Sequence, residues 1–167
     1  MAIRTILTKG DPALNKMCHP VTKFDQKLWE LLDDLKETLA MANGLGLAAP
    51  QVGILRRAGI VVNDDGEMLE LVNPEIVDQK GEQDGLEGCL SVPGLWGYVK
   101  RPAWVKVKAQ DRDGNWFEVE GQELTARCFC HELSHLDGHL YTELTDKLYT
   151  NEDLDQMMSE EEQEERG

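Results

Sequence analysis

Positive charge is scarce in this chain. Only 17 Lys and Arg stand against 32 Asp and Glu in 167 residues, giving a net charge of −15, which excludes a general nucleic-acid binder with its basic face. Long apolar runs are missing as well. Nowhere do about 18 apolar residues follow one another, so no membrane span is expected. The opening MAIRTILTKG has neither the apolar stretch nor the small-residue cleavage site of a secretory leader, and the chain reads as a soluble cytoplasmic protein. Cysteines number four, and Cys128 and Cys130 stand two apart on one predicted helix, pointing to different faces. A disulfide framework is therefore not expected; reduced thiols, one or more of them at a metal, are. No internal repeat is visible, and the length suits one domain with a real core. We expect that domain over residues 1–150. Residues 151–167, with eight acids against Arg166 alone, read as an acidic C-terminal helix or tail that carries nearly half of the net charge.

What is present divides into a few periodic stretches. Residues 1–24 hold the turn signals Asp11-Pro12 and His19-Pro20 and predict a loop-rich entry, with Cys18 and His19 as ordinary loop residues. From Asp25, a plausible N-cap, the residues Leu28, Leu31, Leu32, Leu35, Leu39 and Ala42 form one apolar stripe that Asn43-Gly44 ends. Short strands follow. Ala58 to Val62 and Leu69 to Val72 flank Asp64-Asp65-Gly66, and Ala103 to Gln110 alternates apolar with lysine before Asp113-Gly114 and a partner at Trp116 to Glu120. A second helix is predicted over 122–137. The class is α+β: short antiparallel sheets packed around a central helix, with an N-terminal and a C-terminal helix.

Histidine is rare too, and two of the four sit in Cys130-His131-Glu132-Leu133-Ser134-His135-Leu136-Asp137-Gly138. Positions four apart share a helix face, so His131 and His135 can hold one metal ion with Glu132 beside it. Leu124, Cys128, His131 and His135 fall on one face, while Phe129, Leu133, Leu136 and Leu140 make another of ordinary core type. A helix apolar on two sides is central and buried. Gly138 then stands just past its end, where positive φ costs glycine nothing.

A catalytic ion held this way needs a third protein ligand and an open position. The extended protease pattern would place a histidine at 141, where Tyr141 stands. His139 lies beyond the terminating glycine, and Glu152 and Glu160 belong to the acidic tail. Cys89 remains, in a glycine-flanked loop, Asp84-Gly85-Leu86-Glu87-Gly88-Cys89-Leu90-Ser91-Val92-Pro93-Gly94, that Glu87 and Arg101 could fix by pairing. Upstream, Gly44-Leu45-Gly46-Leu47-Ala48-Ala49-Pro50-Gln51 describes a rigid backbone that something approaches closely, without the Gly-Lys-Ser/Thr ending of a phosphate loop. A zincin-like metalloendopeptidase and a catalytically idle, metal-stabilised binding module are the other readings these residues allow.

Those three stretches, 44–51, 87–91 and 131–138 in that order, resemble the three motifs of the peptide deformylase family. The resemblance spans nearly the whole chain. It implies a metal-dependent hydrolase that takes the formyl group from the N-terminal formyl-methionine of nascent polypeptides and releases formate. Cys89, His131 and His135 would be the metal ligands. Iron(II) would be the native ion, with zinc or nickel possible in purified protein. Glu132 would move protons, and the Gln51 amide and the Leu90 backbone N–H would hold the developing oxyanion. Leu45, Gly46 and Gly88 would present backbone to an extended peptide. The implied partner is the formyl-methionyl chain, met near the ribosome, by a monomer without direct nucleic-acid or membrane contact. The chain departs from the family pattern at Cys130, where Gln is frequent, and at Ser134, where Asp is frequent; Cys130 is expected near the site and open to oxidation. Its acidic tail differs from the basic helix that some members dock on the ribosome.

Overall fold

The computed structural model describes residues 2–166. Among the described residues three α-helices, α1 (Gln26–Ala42), α2 (Leu124–Leu136) and α3 (Asn151–Arg166), accompany eight strands. A five-stranded sheet runs in the order β1 (Gly46–Ala48), β2 (Ala58–Val62), β3 (Met68–Lys80), β6 (Trp104–Gln110), β7 (Trp116–Gln122). A three-stranded sheet contains β4 (Gln83–Cys89), β5 (Val92–Arg101) and β8 (Tyr149–Thr150). Every strand pairing is antiparallel, as the α+β reading expects.

Helices α1 and α2 cover opposite faces of the larger sheet. The α1 leucines Leu28, Leu31, Leu32, Leu35 and Leu39 pack with Leu47, Ile60 and Val72 on one side. Phe129, Ala126 and Cys130 of α2 pack with Val61, Leu71, Val105, Val107 and Ala109 on the other. Strand β2 sends Ile60 to one layer and Val61 to the next, which is why its Ala-Gly-Ile-Val-Val run is apolar at every position instead of alternating. Each fully buried leucine contributes about 2 kcal/mol, so the five of α1 hold that layer firmly.

Local signals set the helix ends. Asp25 caps α1, its side chain accepting from the Leu28 N–H at 3.2 Å, and Asn43 closes it in the left-handed region at φ 54°. Gly138 follows α2 at φ 85°, and a Cβ there would stand 2.9 Å from the Lys16 backbone, so the glycine serves both conformation and packing. In β7, Gly121 leaves the space that the Phe129 ring fills: an added Cβ would come within 2.7 Å of it.

Two expectations need correction. The strand expected at Leu69 to Val72 is the first part of a 13-residue strand, which bends at Asn73-Pro74 where its pairing with β6 shifts register. Asn73 stabilises that bend by bonding both backbone groups of Val21 and the side chain of Gln110. The stretch read as a loop around Cys89 is instead strand on both sides. Cys89 ends β4 at a register shift opposite β5, and only Leu90-Ser91 form the turn. Among the described residues no helix is long and apolar enough to cross a membrane.

Candidate active site

Three pieces of chain converge on α2. β1 continues into a 3-10 turn, Ala49–Val52, that buries Gln51. The turn fixes the Gln51 amide at both ends: Oε1 accepts from the Ala48 N–H at 2.9 Å, while Nε2 donates to Ser91 Oγ at 3.0 Å and reaches Cys89 Sγ at 3.6 Å. The end of β4 delivers Cys89, whose sulfur also receives the Ser91 N–H at 3.4 Å. From α2 come His131, Glu132 and His135, each nine-tenths or more buried.

Cys89 Sγ, His131 Nε2 and His135 Nε2 lie within 4.8 Å of one another, a set able to hold a metal ion. The sulfur is 3.3 Å from His135 Nε2, and the two Nε2 atoms are 3.1 Å apart. Glu87 accepts at 2.7 Å from His131 Nδ1, so this nitrogen carries a hydrogen and Nε2 is the one that offers a lone pair to the cluster once the ring is neutral. This carboxylate behind a histidine is the support that metal-ligating imidazoles commonly have. Burial and the neighbouring His131 push the His135 pKa well below its ordinary value. Burial opposes charge on His131 as well, but Cys89 and Glu87 outweigh it and raise that ring to about 10. Such a proton shared by converging donors is what a bound cation displaces. The donor set, one soft thiolate and two imidazoles, fits iron(II) or zinc.

Glu132 stands beside this cluster, its Oε1 3.9 Å from His131 Nε2. Burial, aided by the charge of Glu87 and opposed by His131, pushes its carboxyl up to about 7, and its Oε2 is buried without a hydrogen-bond partner among the described residues. A carboxyl poised there can exchange a proton near neutrality. Gly46 makes room for it, since a Cβ on Gly46 would lie 2.9 Å from the Glu132 Cγ, Cδ and Oε1 atoms.

Glu87 anchors more than was expected of it. It pairs with Arg101 through two bonds of 3.0 and 2.7 Å, as the sequence suggested, and also with Arg127 Nη1 at 3.0 Å. All three side chains are buried. Arg127 escaped notice, although its place one turn before His131 on α2 was a usable signal. Ser91, which orients Gln51, escaped too. Cys130, expected near the site, is packed in the core with Val105 and Phe129, because neighbouring helix residues point about 100° apart. Cys128, one turn before His131 on its own face, lines the site instead.

A cavity of about 470 Å³ opens beside the cluster, walled by Leu45, Gly46, Glu87, Gly88, Leu90 and Leu124 among others. Its lining takes in Gly46 of edge strand β1 and Leu86, Glu87, Gly88 and Cys89 of edge strand β4. Gly88 keeps one wall thin, since a Cβ there would collide with the Trp96 ring at 2.4 Å. Leu45, Gly46, Gly88, Gln51, Cys89, Leu90, His131 and Glu132, distant in sequence, thus border one space.

Fold and site together define a class: an α+β protein with a Cys-His-His set able to hold a metal ion and a glutamate beside it. The polypeptide deformylase family model matches residues 3–151. Among relatives, a peptide deformylase of Agathobacter rectalis is 58% identical over 86% of this chain and 90% of its own. Another, from Caldicellulosiruptor bescii, is 52% identical over 95% of both chains. The crystal structure of a Legionella pneumophila peptide deformylase superposes with a TM-score of 0.83 at 42% identity, covering 95% of this chain and 92% of that one. The Ehrlichia chaffeensis enzyme, solved in complex with actinonin, gives 0.83 at 33% identity over 100% of both chains. The chain belongs to the polypeptide deformylase family, metal-dependent hydrolases that remove the formyl group from nascent polypeptides.

Proposed function

We infer that this chain hydrolyses the formyl group from N-terminal formyl-methionine in the cytoplasm, where nascent chains leave the ribosome. The observation that carries the reading is the convergence of Cys89 Sγ, His131 Nε2 and His135 Nε2 beside the buried Glu132, at the end of a cavity flanked by two strand edges. Cys89, His131 and His135 would hold one divalent ion, iron(II) being the proposed native species. When bound, that ion supplies Lewis acidity, lowering the pKa of water and polarising the formyl carbonyl.

The remaining steps belong to the chain's own side chains. Glu132 takes a proton from the attacking water and returns it to the leaving amine nitrogen, so formate and a free N-terminus result. Its carboxyl stands 3.9 Å from His131 Nε2, within reach of both transfers. Gln51 Nε2, held 3.6 Å from Cys89 Sγ, and the Leu90 backbone N–H offer donors to the developing oxyanion. Leu45 and Gly46 on one side and Gly88 on the other receive the peptide backbone, as exposed strand edges receive an added strand. The apolar cavity wall takes the methionine side chain.

The test is formate release from a short formyl-methionyl peptide by anaerobically iron(II)-loaded protein, with the unformylated peptide as control. Formate with no internal cleavage supports the reading. Cleavage of the unformylated peptide would favour a metalloendopeptidase instead.

A further inference from the structure

Trp96 sits in β5 at the rim of the cavity, with its ring over Gly88, the residue before Cys89. It is 37% exposed and yet clamped by a segment remote in sequence. Strand β8 pairs with β5 at this point, Leu95 opposite Thr150 and Trp96 opposite Tyr149. Thr145 covers Gly97, where a Cβ would lie 2.7 Å from its Cγ2, and Tyr149 meets Tyr98 edge to face at 5.9 Å. Asn151, the first residue of α3, accepts the indole Nε1–H at 2.7 Å.

We propose that Trp96 is a specificity-determining residue that grips the peptide beyond its formyl-methionine, and that Thr145 to Asn151 form the latch that positions it. The proposal rests on the deformylase reading of the site. With the formyl group at the Cys89, His131 and His135 cluster and methionine in the cavity, the chain leaves over the exposed apolar residues of the lining, Leu45, Leu86, Trp96 and Leu124, of which Trp96 is the largest and the one clamped from outside. An indole has one hydrogen-bond donor and no acceptor, and Asn151 already takes it. What remains for a ligand is the aromatic surface, so the residue after methionine is selected for apolar contact. The latch fixes that surface before substrate arrives and so reduces the ordering cost of binding.

Formate release from formyl-methionine amide and from formyl-methionyl-leucine amide tests this. In the wild type, adding leucine lowers KM. Trp96→Ala and Asn151→Ala each lose about threefold to tenfold of that advantage, the loss appearing in KM. Asn151→Asp, which keeps an acceptor for the indole, restores it. Thermal unfolding identifies any variant that fails to fold; exposed Asn151 keeps the test decisive if Trp96→Ala does. With formate from both substrates, a leucine advantage unchanged in Asn151→Ala would overturn the latch, and one unchanged in Trp96→Ala, or in the milder Trp96→Leu should Trp96→Ala not fold, would overturn the grip of Trp96 itself. Formate from neither, with fully metallated wild type, would overturn the deformylase reading and the latch with it.

Discussion

Glu87→Gln removes one negative charge from a place where three donors depend on it. The carboxylate is 4% exposed and receives Arg101 at 3.0 and 2.7 Å, Arg127 at 3.0 Å and His131 Nδ1 at 2.7 Å. Glutamine keeps the shape but leaves two buried guanidinium groups without a counter-charge, a change that costs about 3–5 kcal/mol. A second route gives a similar figure. Burial pushes the Glu87 carboxyl up, but hydrogen bonds and charge from His131 and Arg101 more than reverse this and hold it at about 2, against an ordinary 4.5. Because the folded value lies below the unfolded one, this stabilisation is complete above pH 4.5 and drains away as pH falls towards 2. At neutral pH it amounts to about 3 kcal/mol. For a chain of this size the variant's Tm should fall by about 6–20 °C at pH 7, with much less difference from wild type near pH 2 to 3. His131 also loses its orienting carboxylate, so metal affinity should drop about 10- to 100-fold. Circular dichroism melts with and without chelator, together with a competitive metal titration, measure both effects. A Tm within about 2 °C of wild type at pH 7 with unchanged metal affinity would refute the idea that Glu87 organises the site.

Three further substitutions separate the proposed roles. Cys89→Ser replaces the soft ligand and should abolish or change iron(II) loading, read by metal analysis after anaerobic reconstitution; equal loading would remove Cys89 from the ligand set. Gly46→Ala puts a methyl group 2.9 Å from the buried Glu132 side chain, so it should cost about 1–3 kcal/mol in stability while strongly lowering kcat; normal turnover would mean that the Glu132 position is not critical. Gln51→Ala should slow formate release about 10²- to 10³-fold with metal retained, and an unaltered rate would exclude an oxyanion role for its amide.

Local chemistry made much of this molecule legible from sequence. The leucine stripe of α1, its caps at Asp25 and Asn43, the alternating β6 and the His131 and His135 pair each depend on residues close in the chain, and each is found as expected. The strands around Cys89 were hidden because Gly85, Gly88, Gly94 and Gly97 depress strand character locally, and only long-range pairing of β4 with β5 offsets it. Gly88 and Gly97 are needed there for other reasons, as seats for Trp96 and Thr145. The length of β3 was hidden by Asn73-Pro74, which reads as a break and is in fact a bend bonded to Val21. Within the site, the three quoted motifs contain about half of the residues that border the cavity, among them all of those proposed to touch the reacting atoms. Arg127 and Trp96 were missed because their importance comes from partners 40 and 55 residues away, Glu87 and Asn151. Cys130 lies near the site, close enough to Glu87, Arg101 and Arg127 to feel their charge, but its thiol is turned into the core with Val105 and Phe129, which chain adjacency to His131 could not reveal.

The most direct test compares formate release by wild type and Glu132→Gln, both loaded with the same metal and checked for metal content, on one formyl-methionyl peptide. The wild type should release formate, and the variant should hold metal in the same ratio while turning over about 10²- to 10⁴-fold more slowly. A fully metallated Glu132→Gln protein that releases formate near the wild-type rate would contradict the account at its centre.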